Sequence, residues 1–233
     1  MKSLEKRKGL ANYLRSHQYQ NGIIVCEQPK FIYMKAAKTA GTSILRMELE
    51  KKISGIFHKK DNPVKFEKWI NEITDKDLEE YYIFSVVRNP WDRIASVSTY
   101  FNIPFDDFIV NIDSFWKDEN IKMHSLPIHY YTHNNGVQFV DMICRFECLQ
   151  PDINLVFDRL NIERKELSFV NQSKKHGYSS YYNTNNQIEK VASIYEKDIE
   201  YYGYMFQDNI VRQESFISKI YYVLSRIKRR LIS

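Results

Sequence analysis

Short unbroken apolar runs alternate, along this chain, with segments whose apolar residues recur every three or four positions. The runs at 22–26, 31–34 and 82–87 are too short for helices and rich in β-branched and aromatic residues, so they read as buried strands, with Pro29 separating the first two. Residues 42–52 predict a helix with Ile44, Leu45 and Leu49 inward, and 64–73 a second with Phe66, Trp69, Ile70 and Ile73 recurring. Asn89-Pro90 breaks the third strand, and Pro90 or Trp91 opens a helix to about residue 101. Residues 105–116 read as helical, 125–137 as a polar and aromatic loop, and 139–145 as a strand. A helix over 148–160 turns Leu149, Ile153, Val156, Phe157 and Leu160 to one side. Thr184 and Gln187 carry the capping-box pattern of a last helix, whose Ile188, Val191, Tyr195, Ile199 and Tyr202 form a stripe that Gly203 stops. Strands alternating with helices predict an α/β fold of three layers, a central parallel sheet flanked by helices.

Composition narrows the class without changing this picture. At 233 residues the chain suits one moderate domain, and 43% hydrophobic residues with 17 Tyr, 14 Phe, only 7 Gly and 6 Pro exclude a disordered or low-complexity chain. A net charge of +5 suits an anionic ligand and is too small to argue for nucleic acid. Cys26, Cys144 and Cys148 follow no metal-ligand spacing and read as small buried hydrophobes in a reducing compartment. No stretch approaches the roughly 18 apolar residues of a membrane span and the N-terminus lacks a secretory apolar region, so the expected location is cytoplasmic. Residues 1–206 read as the domain, its core beginning near residue 22. Residues 207–233 read as a basic amphipathic helix, with Phe216, Ile220, Val223, Leu224, Ile227 and Leu231 at helical spacing among Lys219, Arg226, Lys228, Arg229 and Arg230. Such a helix either docks on its own domain or rests on an anionic membrane surface as a peripheral contact.

Candidate chemistry begins at residues 35–43, Lys-Ala-Ala-Lys-Thr-Ala-Gly-Thr-Ser, directly after a strand. A tight small-residue loop entering a helix would bring backbone N–H groups, a lysine and three hydroxyls (Thr39, Thr42, Ser43) to one point, an arrangement that binds phosphate or sulfate. The loop is no Walker motif: Lys38 precedes Gly41, whereas a nucleoside-triphosphate loop places its lysine after the last glycine. Lys35 reads as a strand-end charge.

A second constellation, Val87-Arg88-Asn89-Pro90-Trp91-Asp92-Arg93-Ile94-Ala95-Ser96, puts an arginine at the carboxyl end of a strand and a serine on the helix that follows. Ligands collect at such strand ends. Arg88 and Ser96 suit a second phosphate, held by a bidentate guanidinium and a hydroxyl; Arg93, one turn before Ser96, reads either as a contributor to that site or as a structural ion-pair partner of Asp92 or a neighbour, the structural role being favoured. Two separated anion sites fit a nucleotide with phosphates at both ends of its ribose.

The two motifs together resemble the sulfotransferase superfamily, and most of all its branch of carbohydrate sulfotransferases. Residues 141–152, with Arg145-Phe146-Glu147 and Asp152, and the segment from Asn171 through Tyr181-Tyr182 to Asp198-Ile199-Glu200-Tyr201-Tyr202-Gly203-Tyr204 extend the likeness in order, over roughly residues 31–206. Ala36-Ala37 depart from the more usual Ile/Val-Pro before the lysine, which touches loop geometry more than chemistry. The resemblance implies a P-loop NTPase-like sulfotransferase fold and 3′-phosphoadenosine-5′-phosphosulfate (PAPS) as donor, with no metal required. It implies that Lys38 is catalytic at the bridging oxygen, that Thr39, Ala40, Gly41, Thr42 and Ser43 hold the 5′-phosphosulfate, and that Arg88 and Ser96 grip the 3′-phosphate. The acceptor it implies is a hydroxyl of a carbohydrate or glycoconjugate.

An acceptor hydroxyl needs a base within reach. His58 is the first candidate, because related enzymes place a base histidine in that region; His124 and His129, in or beside the aromatic loop, come next. Glu48 and Glu50 read as solvated, Glu147 as an ion-pair or helix-start residue, and Lys174 and Lys175 as either a loop over the nucleotide or solvated charges. Two other readings stay open, a nucleotide-dependent phosphotransferase and a non-catalytic nucleotide-binding protein.

Overall fold

The computed structural model describes residues 2–17, 20–46, 56–167 and 177–206. The part of the expected 42–52 helix beyond residue 46, with Glu48 and Glu50, lies outside them, as do Lys174, Lys175 and residues 207–233.

Five strands form the central sheet: β1 (Ile23–Glu27), β2 (Lys30–Met34), β3 (Ile56–His58), β4 (Tyr82–Val87) and β7 (Met142–Arg145), in the order β3-β1-β2-β4-β7. β2, β4 and β7 run parallel, with Ser85 opposite both Met34 and Ile143. β1 is antiparallel to both its neighbours, so β3 returns to the common direction and the sheet is mixed but mostly parallel. The sequence reading missed β3, three residues long inside a polar run. A small separate hairpin pairs β5 (His133–Asn134) with β6 (Val137–Gln138) inside the expected 125–137 loop.

Strand alternation builds the three layers. Ile23, Val25, Ile32, Met34, Ile83 and Val87 face one core, and Ile24, Cys26, Phe31, Tyr33, Phe84 and Val86 face the other. Helix α1 (Lys2–Arg7) opens the chain, and helices α2 (Leu10–Ser16), α4 (Pro63–Glu72), α5 (Asp75–Leu78) and α6 (Pro90–Phe101) supply the first core through Leu10, Leu14, Phe66, Ile70, Leu78, Trp91 and Ile94. Helices α3 (Gly41–Arg46) and α10 (Leu149–Leu160) supply the second through Ile44, Leu149, Ile153, Val156 and Phe157.

The expected 105–116 helix is two short ones, α7 (Phe105–Val110) and α8 (Ile112–Phe115), and α9 (Glu119–Ser125) follows on an Asp118 cap. The expected strand at 139–145 begins only at Met142. The last stripe is broken at Tyr195 into α11 (Asn185–Ile194) and α12 (Glu196–Tyr202). Its capping box is formed by Thr184 and Gln187, and Gly203 ends it in the left-handed region at φ 66°.

Candidate active site

Parallel strands β2 and β4 deliver Lys38 and Arg88 to one edge of the sheet, where a loop between β2 and α3 turns tightly. Lys38 and Ala40 occupy the left-handed region, at φ 62° and 61°. Side chains with a Cβ pay for that conformation, of order 1 kcal/mol each, so the rest of the loop must hold it. Thr39 is fully buried and its hydroxyl donates to the Ala36 carbonyl at 2.8 Å. Ile44 N–H closes the first helical turn on the Ala40 carbonyl at 3.1 Å. The N–H groups of residues 39–43 donate to no carbonyl of the described residues and remain for a ligand.

Arg88 joins this loop to α6. Its guanidinium donates to the Lys38 carbonyl at 2.9 Å and to the Asp92 carboxylate at 2.7 Å, and lies over the Phe146 ring at 4.1 Å. Ser96, two turns along α6, is half-buried. Asn89 caps α6 through its side-chain oxygen, which accepts from Trp91 and Asp92 N–H, and donates through its amide to the Met205 carbonyl at 3.0 Å. Glu147 accepts from Asn89 N–H at 2.7 Å and from the Tyr204 hydroxyl at 3.0 Å, so it fixes the turn after β4.

Arg93 corrects the sequence reading. It pairs with no carboxylate among the described residues; fully buried, it donates to the Ala37 carbonyl and to the His124 carbonyl, both at 3.0 Å. One side chain thus spaces the anion loop from α9. The Lys38 ammonium rests over the Tyr100 ring, 4.3 Å from its centroid. The His124 ring stacks on the same Tyr100 at 5.1 Å and 18°. Burial lowers the Lys38 pKa, and the Arg88 charge lowers it further. His124 is lowered too, first by burial and then by the charges of Lys38, Arg93 and Lys35, against the hydrogen bond to Asn120. That bond, Nδ1 to the Asn120 carbonyl at 2.8 Å, requires Nδ1 to carry the proton and leaves Nε2 with its lone pair.

The other histidines are engaged elsewhere. His58 ends β3, with Nε2 on the Asp61 carboxylate at 2.5 Å and Nδ1 buried without a partner among the described residues. His129 Nδ1 is 3.0 Å from the buried Asp198 carboxylate, which also accepts from the N–H groups of Ile128 and His129. The contacts therefore join Arg88, the loop at Lys38 and, through Tyr100, His124, with Ser96 farther along α6, while His58 is paired with Asp61 and His129 with Asp198.

Tyr100 went unread in the sequence. Its signal was position: Arg93, Ser96 and Tyr100 fall at i, i+3 and i+7 and share one face of α6. Among the described residues, no three His, Cys, Asp or Glu side chains form a metal-ligating group.

Residues 21–205 match the model of the sulfotransferase family. The chain belongs to the sulfotransferase family. No characterised protein and no solved structure gave a significant match. No helix of this sulfotransferase is long and apolar enough, among its described residues, to cross a membrane.

Proposed function

We propose that this sulfotransferase moves the sulfuryl group of PAPS to a hydroxyl of a carbohydrate or glycoconjugate. The observation that carries the reading is the Arg88 guanidinium on the Lys38 carbonyl, which locks a 3′-phosphate residue and a 5′-phosphate loop into one rigid unit. The loop suits an anion: its N–H groups from 39 to 43 have no described acceptor, and Lys38 stands beside them.

When bound, PAPS supplies an activated sulfuryl group on a phosphate leaving group. The N–H groups of residues 39–43 and the hydroxyls of Thr42 and Ser43 hold that phosphate. Lys38, which rests over Tyr100, would neutralise charge developing on the leaving group, usually the largest single contribution in such transfers. Arg88 keeps guanidinium hydrogens beyond those it spends on Lys38 and Asp92, and with Ser96 it binds the 3′-phosphate. His124 Nε2 takes the proton of the attacking hydroxyl; its lowered pKa keeps the ring neutral near pH 7. The role first expected of His58 passes to it. The exposed side chain of Tyr100, beside both Lys38 and His124, supports a sugar ring as the acceptor body.

Thermal-shift titration with 3′,5′-adenosine bisphosphate in the absence of magnesium tests the donor. Stabilisation is expected; a response only to ATP with magnesium would turn the reading to a phosphotransferase. Transfer of labelled sulfate from PAPS to glycan fractions then tests catalysis, and binding without transfer would mark a non-catalytic protein.

A further inference from the structure

Three successive carbonyls of the anion loop are each held by a different side chain. Thr39 donates to Ala36 at 2.8 Å, Arg93 to Ala37 at 3.0 Å and Arg88 to Lys38 at 2.9 Å. The first tie is local and the last runs to a donor residue; the middle one runs to the other half of the site. Arg93 bonds Ala37 through Nε and the His124 carbonyl through Nη2. Both nitrogens belong to one rigid plane, so the two carbonyls keep a fixed spacing as long as both bonds hold.

Helix α9 offers that carbonyl because it stops there. The N–H groups of Ile128 and His129, which a longer helix would turn to the His124 and Ser125 carbonyls, go to Asp198 instead. The Arg93 guanidinium takes the first of these carbonyls and the Tyr195 hydroxyl the second, and a cation suits that end of a helix. The His124 ring is fixed in turn. Nδ1 donates to the Asn120 carbonyl, the ring stacks on Tyr100, and Phe101 stands perpendicular to it at 5.2 Å and 90°. The ring therefore follows α9. Arg93 is a costly way to fill a core. It is fully buried, and among the described residues it meets no carboxylate and its Nη1 has no partner. An apolar side chain of that volume would be at least as stable there. What it could not do is hold two carbonyls at once.

We propose that Arg93 is a positioning residue of the transfer reaction: its one guanidinium fixes the base His124 against the loop that carries Lys38, and passes the ordering of that loop on to α9 when donor binds. A loop stilled at Ala37 stills the His124 carbonyl on the same guanidinium, so the base is set before the acceptor arrives. A displacement of about 1 Å in such a group costs on the order of 10²-fold in rate. This rests on the reading of His124 as the base and adds the residue through which donor and base are joined.

The experiment uses full-length wild type, Arg93→Lys, His124→Ala and the Arg93→Lys/His124→Ala double variant. Each is followed by amide hydrogen exchange with and without 3′,5′-adenosine bisphosphate, and by labelled transfer from PAPS into the glycan fractions that wild type labels. In wild type the bisphosphate should slow exchange both in residues 36–43 and in α9, by at least about threefold. A lysine reaches one carbonyl and cannot fork between two. Arg93→Lys should thus keep bisphosphate affinity and the KM for PAPS within about threefold and keep the protection of 36–43, while losing that of α9 and about 10–10²-fold in kcat. The double variant should be no slower than His124→Ala, because Arg93 acts through that histidine. Exchange in α9 that ignores the bisphosphate in wild type, a measurement that needs no variant to fold, would overturn the proposal. So would wild-type kcat in Arg93→Lys, bisphosphate binding lost along with transfer in that variant, or losses that multiply in the double variant. Full turnover by His124→Ala would instead sink the base reading, and absence of any bisphosphate shift in wild type the PAPS reading beneath both.

Discussion

Arg88 donates a hydrogen bond to the main-chain carbonyl of Lys38 at 2.9 Å, across fifty residues of sequence. The contact turns two motifs into one device: the group that would grip the 3′-phosphate also shapes the loop that would hold the 5′-phosphate. Lys38 sits at φ 62°, and a buried guanidinium on its carbonyl is one of the forces that keeps it there.

Arg88→Lys should therefore harm more than charge. An ammonium is a point donor and cannot hold Asp92 and the Lys38 carbonyl in a planar fork. We expect 3′,5′-adenosine bisphosphate to bind at least tenfold more weakly, about 1.4 kcal/mol or more, by calorimetric titration. Unchanged affinity would show that Arg88 is not part of the donor site.

Lys38→Ala should lower kcat by about 10²–10³ while weakening bisphosphate binding less, as for the loss of a charge-stabilising donor that acts mainly in the transition state. The ammonium form is the useful one, and burial lowers its pKa, so activity should fall as pH rises through a value below the ordinary lysine range. Lys38→Arg should lift that alkaline limb. A limb that stays in place in the arginine variant would assign it to another group.

His124→Ala should cost about 10²–10⁴ in kcat, the range for a positioned base, and His58→Ala only a few-fold. Single-turnover assays at saturating PAPS read this directly. The reverse ranking would restore His58 and imply that the Asp61 pair opens when acceptor binds.

Acid stability offers a test free of substrate. His133 is held down to about 4, first by burial and then by the neighbouring His129, against the pull of Asp198. Burial lowers His17 as well. A histidine depressed in the folded state binds its proton more readily when unfolded. Its contribution is whole above about 6.5 and is lost as pH falls from there toward the folded value. Melting temperature should thus decline from pH 6.5 to 4, and His133→Phe should flatten the decline. An equal slope in the variant would place the acid sensitivity elsewhere.

Much of this was readable from the chain. The two strand ends, the Pro90 helix start and the Thr184 box follow from local rules, and the Lys38 and Arg88 motifs are contiguous in sequence. What escaped depends on contacts across distance. β3 is three residues long, with one buried side chain, Phe57, and no period to betray it. Arg93 looked like half of an ion pair with its neighbour Asp92, but Asp92 is taken by Arg88, and the partners of Arg93 are carbonyls 56 and 31 residues away. His124 was one of several histidines until its stack on Tyr100 distinguished it.

The cap of α6 carries one more implication, for the order in which the protein is made. Asn89, one residue from Arg88, is secured by the carbonyl of Met205 and, through Glu147, by the hydroxyl of Tyr204. A ribosome that has delivered the strands, the anion loop and α6 has still not delivered these last ties. These ties form only after residues 204 and 205 have left the exit tunnel, so the strands, the loop and α6 are made before the cap that holds Asn89.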